Sequence, residues 1–223
     1  LWHSRRFNMK NILTIACAAL LMAATSCKAQ DNVQLPDPLM DNQVTLIQAL
    51  QNRHSTREYT DKAIPDNVLS TVLWAACGIN RPGEGKITAP SAINAQDILV
   101  YVVRQDGTYL YQPKDNSLQK VSSKDLRTAV AGRQSFAASA PVSLLLVSNH
   151  NKFPQQSSYD AKVRMGVVDA GYVSENICLA CSALGLNTVP RMTMDSETLK
   201  KELGLDDNYD LVLNSQIGYP KSK

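Results

Sequence analysis

Hydrophobic positions change their spacing several times along the chain, and those changes mark out its elements. Val44, Ile47 and Leu50 recur every three residues. That spacing predicts a helix over 42–52 with one apolar face. A second helix opens at Pro65, carries Val68, Leu69, Val72, Leu73 and Ala76 on one stripe, and ends at Gly78. Proline suits the first turn of a helix and glycine its end. Residues 81–90 read as a Gly/Pro-rich loop and 90–96 as a short turn or helix. Residues 98–103 are apolar and β-branched, a buried strand that Asp106-Gly107 turns into a second over 109–111. Residues 123–131 follow as a helix capped by Ser122 or Ser123. The continuous apolar run 141–148 is a central strand.

The longest helix spans 159–184, with Val163, Val167, Ala170, Val173, Ile177, Cys181 and Leu184 repeating every three or four residues. Gly166, Ala170, Gly171 and Ser174 keep one side thin, so that another helix can approach, and Gly185 ends it. Residues 188–193 form a short strand or extended loop, Asp195 caps a last helix through Leu203, and 211–218 is a final strand. Helices fall between strands that are partly hairpin-linked. The predicted class is α+β, a central mixed or antiparallel sheet flanked by helices.

Composition changes this picture at the N-terminus. Residues 1–30 carry Arg5, Arg6, Lys10 and Lys28 and no acid, so the formal charge of +3 falls to −1 over 31–223. A nearly neutral domain has no broad basic face, and nucleic acid is not an expected partner. Met9-Lys10-Asn11 followed by apolar 12–24 reads as the basic and hydrophobic regions of an export signal. The apolar stretch is too short to span a bilayer as a stable helix. Ala24-Thr25-Ser26-Cys27 resembles a bacterial lipoprotein signal, in which Cys27 would carry a lipid anchor, with Ala24 where that motif prefers Leu. The alternative is ordinary cleavage near Ala29 and a soluble exported protein. The expected organisation is a leader over 1–30, a polar linker over 31–41 and one domain over 42–223.

The candidate chemistry starts at Arg53-His54-Ser55-Thr56-Arg57. So dense a cationic cluster is either a solvated loop or a holder of an anion, because an unpaired buried charge costs several kcal/mol or more. Cys178-Leu-Ala-Cys181 has redox or metal spacing. It sits deep inside a helix, however, and no second cysteine or histidine pair completes a zinc site, so these cysteines read as small buried hydrophobes and no metal site is expected.

Four motifs in order resemble the nitroreductase family of flavin-dependent oxidoreductases. They are Arg53-His54-Ser55-Thr56-Arg57, the turn Pro90-Ser91-x-x-Asn94-x-Gln96, Ala183-Leu184-Gly185-Leu186 with Val189-Pro190, and Ile217-Gly218-Tyr219-Pro220 before a basic pair. Leu73–Asn80 and Tyr109-Leu110-Tyr111 look more like the thiazole/oxazole-forming dehydrogenases of the family and their relatives.

The resemblance implies flavin mononucleotide (FMN) as cofactor and a homodimer with two flavins at its interface, the C-terminal segment exchanged between copies. It implies that Arg53 and Ser55 from one end, with Lys221 and Lys223 from the other, hold the phosphate, and that His54 is among the cofactor-binding residues. A solvated tail is the competing reading for the two lysines. Arg57 would lie near the pyrimidine edge of the ring, its competing role a salt bridge with Glu58 or Asp61. Ser91, Asn94 and Gln134 would line the flavin. Where many members carry an acid and a glycine after Val189-Pro190, this chain has Met192 and Thr193. The Thr193 amide can still face flavin N5, but the acid's role is absent. No catalytic side chain is required for hydride transfer. The activity implied is two-electron transfer between a donor and a small organic acceptor. For an exported protein the donor would be other than bulk NAD(P)H. A conventional NAD(P)H-dependent nitro- or quinone reductase, and a flavin-binding lipoprotein without turnover, stand as alternatives.

Overall fold

A computed structural model describes residues 32–221, so the leader, Cys27 and Lys223 lie outside the described residues. Nine strands are present among them: β1 Asn32–Gln34, β2 Ile79–Arg81, β3 Lys86–Ile87, β4 Ile98–Arg104, β5 Gly107–Gln112, β6 Ser117–Ser122, β7 Val142–Asn149, β8 Asn187–Arg191 and β9 Tyr209–Gly218. Five α-helices accompany them: α1 Leu46–Asn52, α2 Asp66–Cys77, α3 Arg127–Ala131, α4 Tyr159–Ala183 and α5 Ser196–Leu203.

Seven strands form one sheet in the order β1-β6-β5-β4-β7-β9-β8, and every pairing in it is antiparallel. The sheet is therefore antiparallel throughout, with no parallel component. Its side chains alternate between two cores, as the two-residue period of a strand requires. Val100, Val102, Leu144 and Leu146 join Leu69, Leu73, Val173 and Ile177 from α2 and α4 on one face. Tyr101, Val103, Leu145 and Val147 join Val130 and Leu199 from α3 and α5 on the other. Strand β9 pairs with β7 and β8 of its own chain up to Gly218. The expected exchange of the C-terminal segment therefore does not include residues 209–218.

Several sequence expectations change. The stretch read as a linker supplies β1 and the buried Leu35. The loop over 81–90 contains half of a small hairpin, β2–β3. Strand β6 has no strong apolar alternation and was not expected. Helix α3 starts four residues late, without a serine cap: Asp125 Oδ1 accepts from the Arg127 amide instead. Helix α1 starts at a capping box between Thr45 and Gln48. Its apolar stripe faces outward: Val44, Ile47 and Leu50 are exposed and only Ala49 is buried. In α4, Val167 is likewise exposed. The small residues there serve the sheet as much as a helix, since a Cβ on Gly166 would collide with Ser148.

Candidate functional site

The segment after α1 is tied to the edge of the sheet. Thr56 donates its amide and its hydroxyl to the Thr188 carbonyl on β8, at 3.0 and 3.3 Å. Asn187 Nδ2 donates to the Glu58 carbonyl at 2.8 Å. The Thr60 amide donates to the Tyr219 carbonyl, one residue past β9, at 2.9 Å. Tyr59 is buried beneath this segment, and its hydroxyl donates to the Thr56 carbonyl at 2.9 Å. Burial raises its phenol above the ordinary value. Gly218 makes room for it, because a Cβ there would stand 3.0 Å from Tyr59 and 2.9 Å from Pro141.

These bonds set Arg53–Arg57 beside the chain that leads to Lys221, which is exposed. His54 donates from Nδ1 to the Asn52 carbonyl at 2.7 Å, and Ser55 is exposed. Neither Arg53 nor Arg57 has a carboxylate partner among the described residues, where the ion pairs involve Lys86, Arg104, Lys124 and Arg127. The competing salt bridge of Arg57 with Glu58 or Asp61 is therefore not formed. Its guanidinium lies 5.9 Å from the centre of the Phe136 ring instead.

Arg191, at the end of β8, was missed from the sequence. It is only 7% exposed. Its Nε donates to Gln134 Oε1 at 2.7 Å, one terminal nitrogen to Asn214 Oδ1 at 2.9 Å, and the other to the Ala131 carbonyl at 2.7 Å. Gln134, a candidate flavin contact, is thus occupied in holding Arg191. The signal was period two: Val189 faces inward, Pro190 outward and Arg191 inward again. Asn214 also donates from Nδ2 to the Thr193 carbonyl at 3.2 Å, fixing the Met192-Thr193 segment, both of whose side chains are exposed. A cavity of about 970 Å³ opens beside it, lined by Arg133, Met192, Thr193, Met194 and Asp195 among others.

Ser91 and Asn94 lie elsewhere. Their turn holds three non-glycine residues in the left-handed region, Ile93, Asn94 and Gln96, with φ of 49°, 58° and 48°. Such residues persist where their surroundings hold them. Here the Asp169 carboxylate on α4 accepts from the Ala92 amide at 2.9 and 3.0 Å, and Ser91 Oγ accepts from the Gln96 amide at 2.9 Å. Burial, and then a hydrogen bond with Asp97, push the Asp169 carboxyl up to about 6. Asp97 in turn accepts from the Ser148 hydroxyl at 2.5 Å. Ser91 lines a cleft of about 440 Å³ with Arg164, Val168, Asp169 and Tyr172. Arg53, His54 and Thr56 line a separate niche of about 30 Å³. One chain does not bring the two groups together.

Cys178 and Cys181 are buried, and burial pushes the Cys178 thiol up to about 11. Both are far from the thiolate form that redox chemistry requires.

Comparison with known proteins agrees with the fold and the motif order. Residues 50–219 match the model of the nitroreductase family. A candidate nitroreductase of Methanocaldococcus jannaschii is 31% identical over 166 residues, 70% of this chain and 81% of that protein. The NAD(P)H-dependent FMN reductase of Bacillus subtilis is 30% identical over 156 residues, 65% of this chain and 53% of that protein. The crystal structure of a candidate nitroreductase from Ralstonia eutropha superposes with a TM-score of 0.80 at 33% identity, covering 86% of this chain and 90% of that one. With its antiparallel sheet, its helices on both faces and its basic segment laced to the sheet edge, the chain belongs to the nitroreductase family of oxidoreductases.

Proposed function

We propose that this protein is an exported, FMN-dependent oxidoreductase, working as a homodimer, that passes two electrons from a donor to a small organic acceptor. The observation that carries this reading is the lacing of 53–60 to β8 and Tyr219. It ties the segment that carries Arg53, His54, Ser55 and Arg57 to the sheet edge and to Tyr219, two residues before Lys221, and neither arginine has a carboxylate partner among the described residues. Charge-assisted donors of this kind suit a phosphate. Lys223, outside the described residues, is expected to join them.

The niche at Arg53 holds only about 30 Å³. A flavin therefore extends beyond this niche, and in this reading a second copy covers it. The outward apolar face is the surface for that copy: Leu46 and Ile47 on α1 are each 63% exposed, and Val168 and Tyr172 on α4 lie open beside the Ser91 cleft. Hydrophobes gathered in this way favour association. The partner copy would then bring its Ser91 and Asn94 to the flavin.

FMN supplies the two-electron carrier when bound. Arg57 stabilises negative charge arriving on the ring. The Thr193 amide, which has no hydrogen-bond acceptor among the described residues, is the donor available to the ring nitrogen. The FMN reductase relative favours a second reading, in which NAD(P)H is the donor. The export pattern of residues 9–27 favours another donor. Absorbance spectra of the purified protein with and without NADH, under anaerobic conditions, test both. A yellow protein bleached by NADH supports the second reading, and a yellow protein left oxidised supports the first. A colourless protein that takes up no added FMN overturns both. Cell fractionation tests export, which a purely cytosolic protein would refute.

A further inference from the structure

The Arg191 guanidinium is buried, yet every acceptor it has is neutral: Gln134, Asn214 and the Val130 and Ala131 carbonyls. Among the described residues no carboxylate oxygen lies within 4.0 Å of it. Buried charges are ordinarily paired, because neutral dipoles only partly replace lost hydration. Arginine cannot escape by losing its proton. A second cation adds to the imbalance. Arg57 and Arg191 both approach the Phe136 ring, at 5.9 and 5.6 Å from its centre. The result is a fixed excess of positive charge with one anion missing.

The surroundings hold that charge in place. Asn214, fully buried, accepts from Arg191 and from Gln216 Nε2 at 2.8 Å, while its amide group holds the Thr193 carbonyl. The cation and the Met192-Thr193 segment are therefore set by one side chain.

We propose that Arg191 is a potential-setting residue, whose uncompensated charge favours the reduced, anionic flavin over the oxidised one. This rests on the flavin reading above. Oxidised flavin plus two electrons and one proton gives the singly anionic reduced form, so reduction supplies the missing negative charge. The electrons come from the donor, for which dithionite substitutes in the test. Arg191 acts from behind Gln134 and Phe136 and needs no contact with substrate.

The experiment is anaerobic redox titration of FMN-loaded wild type, Arg191→Gln and Arg191→Lys against reference dyes, with oxidised-FMN affinity measured alongside. Arg191→Gln should lower the preference for reduced over oxidised flavin at least tenfold, about 30 mV for a two-electron couple. Its affinity for oxidised FMN should change less than threefold. Arg191→Lys, which keeps the charge but loses the fork, should stay within threefold of wild type in both. Equal potentials for all three proteins would make Arg191 only a tie for the loop and overturn the proposal. If Arg191→Gln does not fold, Gln134→Glu keeps the oxygen acceptor and adds a carboxylate. It should then shift the potential in the same direction, and an unshifted value overturns the proposal. Wild type that binds no FMN overturns the flavin reading itself, a result distinct from bound flavin with an unmoved potential.

Discussion

The interior around Arg191, Asp97 and Asp169 and the outer face of α1 and α4 break opposite rules. Inside, a guanidinium and two carboxyls are almost wholly buried. Outside, Leu46, Ile47, Val168 and Tyr172 face solvent. Local departures from the hydrophobic-in, polar-out pattern concentrate where function outweighs stability. The two regions differ in how the departure is balanced. The interior charges carry hydrogen bonds that fix two chain segments, whereas the outer apolar face has no partner within the described chain. The first is already built into the fold, and the second has no cover among the described residues.

The largest effect should come from the interior. Arg191→Leu removes the bonds to Gln134, Asn214 and the Val130 and Ala131 carbonyls and should cost about 3 kcal/mol in urea unfolding. An unchanged midpoint would mean that this cation contributes nothing to the fold. Next is Asp169, whose carboxyl lies above its ordinary value. The native state then binds the proton more tightly than the unfolded chain. Its contribution is fully present below about pH 4 and is lost as pH rises through about 6. Wild type should lose stability across that window relative to Asp169→Asn, which lacks this titration and still offers the Ala92 amide an oxygen. Parallel pH profiles for the two proteins would remove the shared proton from this picture.

The surface cations should matter less to the fold and more to the ligand. Arg53→Ala should weaken FMN binding about tenfold, from the loss of one charge-assisted contact. Arg57→Ala should retain FMN better and lower the flavin potential. Equal behaviour of the two in titration and potentiometry would erase their division of labour. Smallest in stability is Ile47→Glu, within about 0.5 kcal/mol for an exposed site. It should nonetheless split the proposed dimer in sedimentation velocity. A dimer that survives Ile47→Glu and Val168→Glu together would move the interface elsewhere.

Much of this was legible in the sequence wherever periodicity and caps agreed. The two long helices end where Gly78 and the Leu184-Gly185 pair end them, and Asp195 caps α5 by accepting from the Thr198 amide. The antiparallel core was readable in the apolar runs of β4 and β7. Strand β6 was not, because Ser117, Gln119 and Lys120 give it no apolar face; it is a strand because β5 and β1 pair with it. Helix α1 was located from its apolar stripe, but spacing alone does not say which way that stripe faces. The Arg53–Arg57 cluster was visible as dense charge. Arg191 was hidden because one basic residue in a short strand carries no such density. Its burial follows from tertiary contacts with Gln134 and Asn214, which lie far from it in sequence.

The position of β9 has a consequence for how the protein is made. This strand, the last element among the described residues, lies between β7 and β8 rather than at an edge. Until residues 209–218 leave the ribosome, β7 and β8 each present an unpaired edge and the sheet cannot close. Nascent chains stopped short of Tyr209 should therefore stay protease-sensitive and prone to aggregate, as unpaired strand edges are. Completion of the sheet is in this sense deferred until β9 has been made.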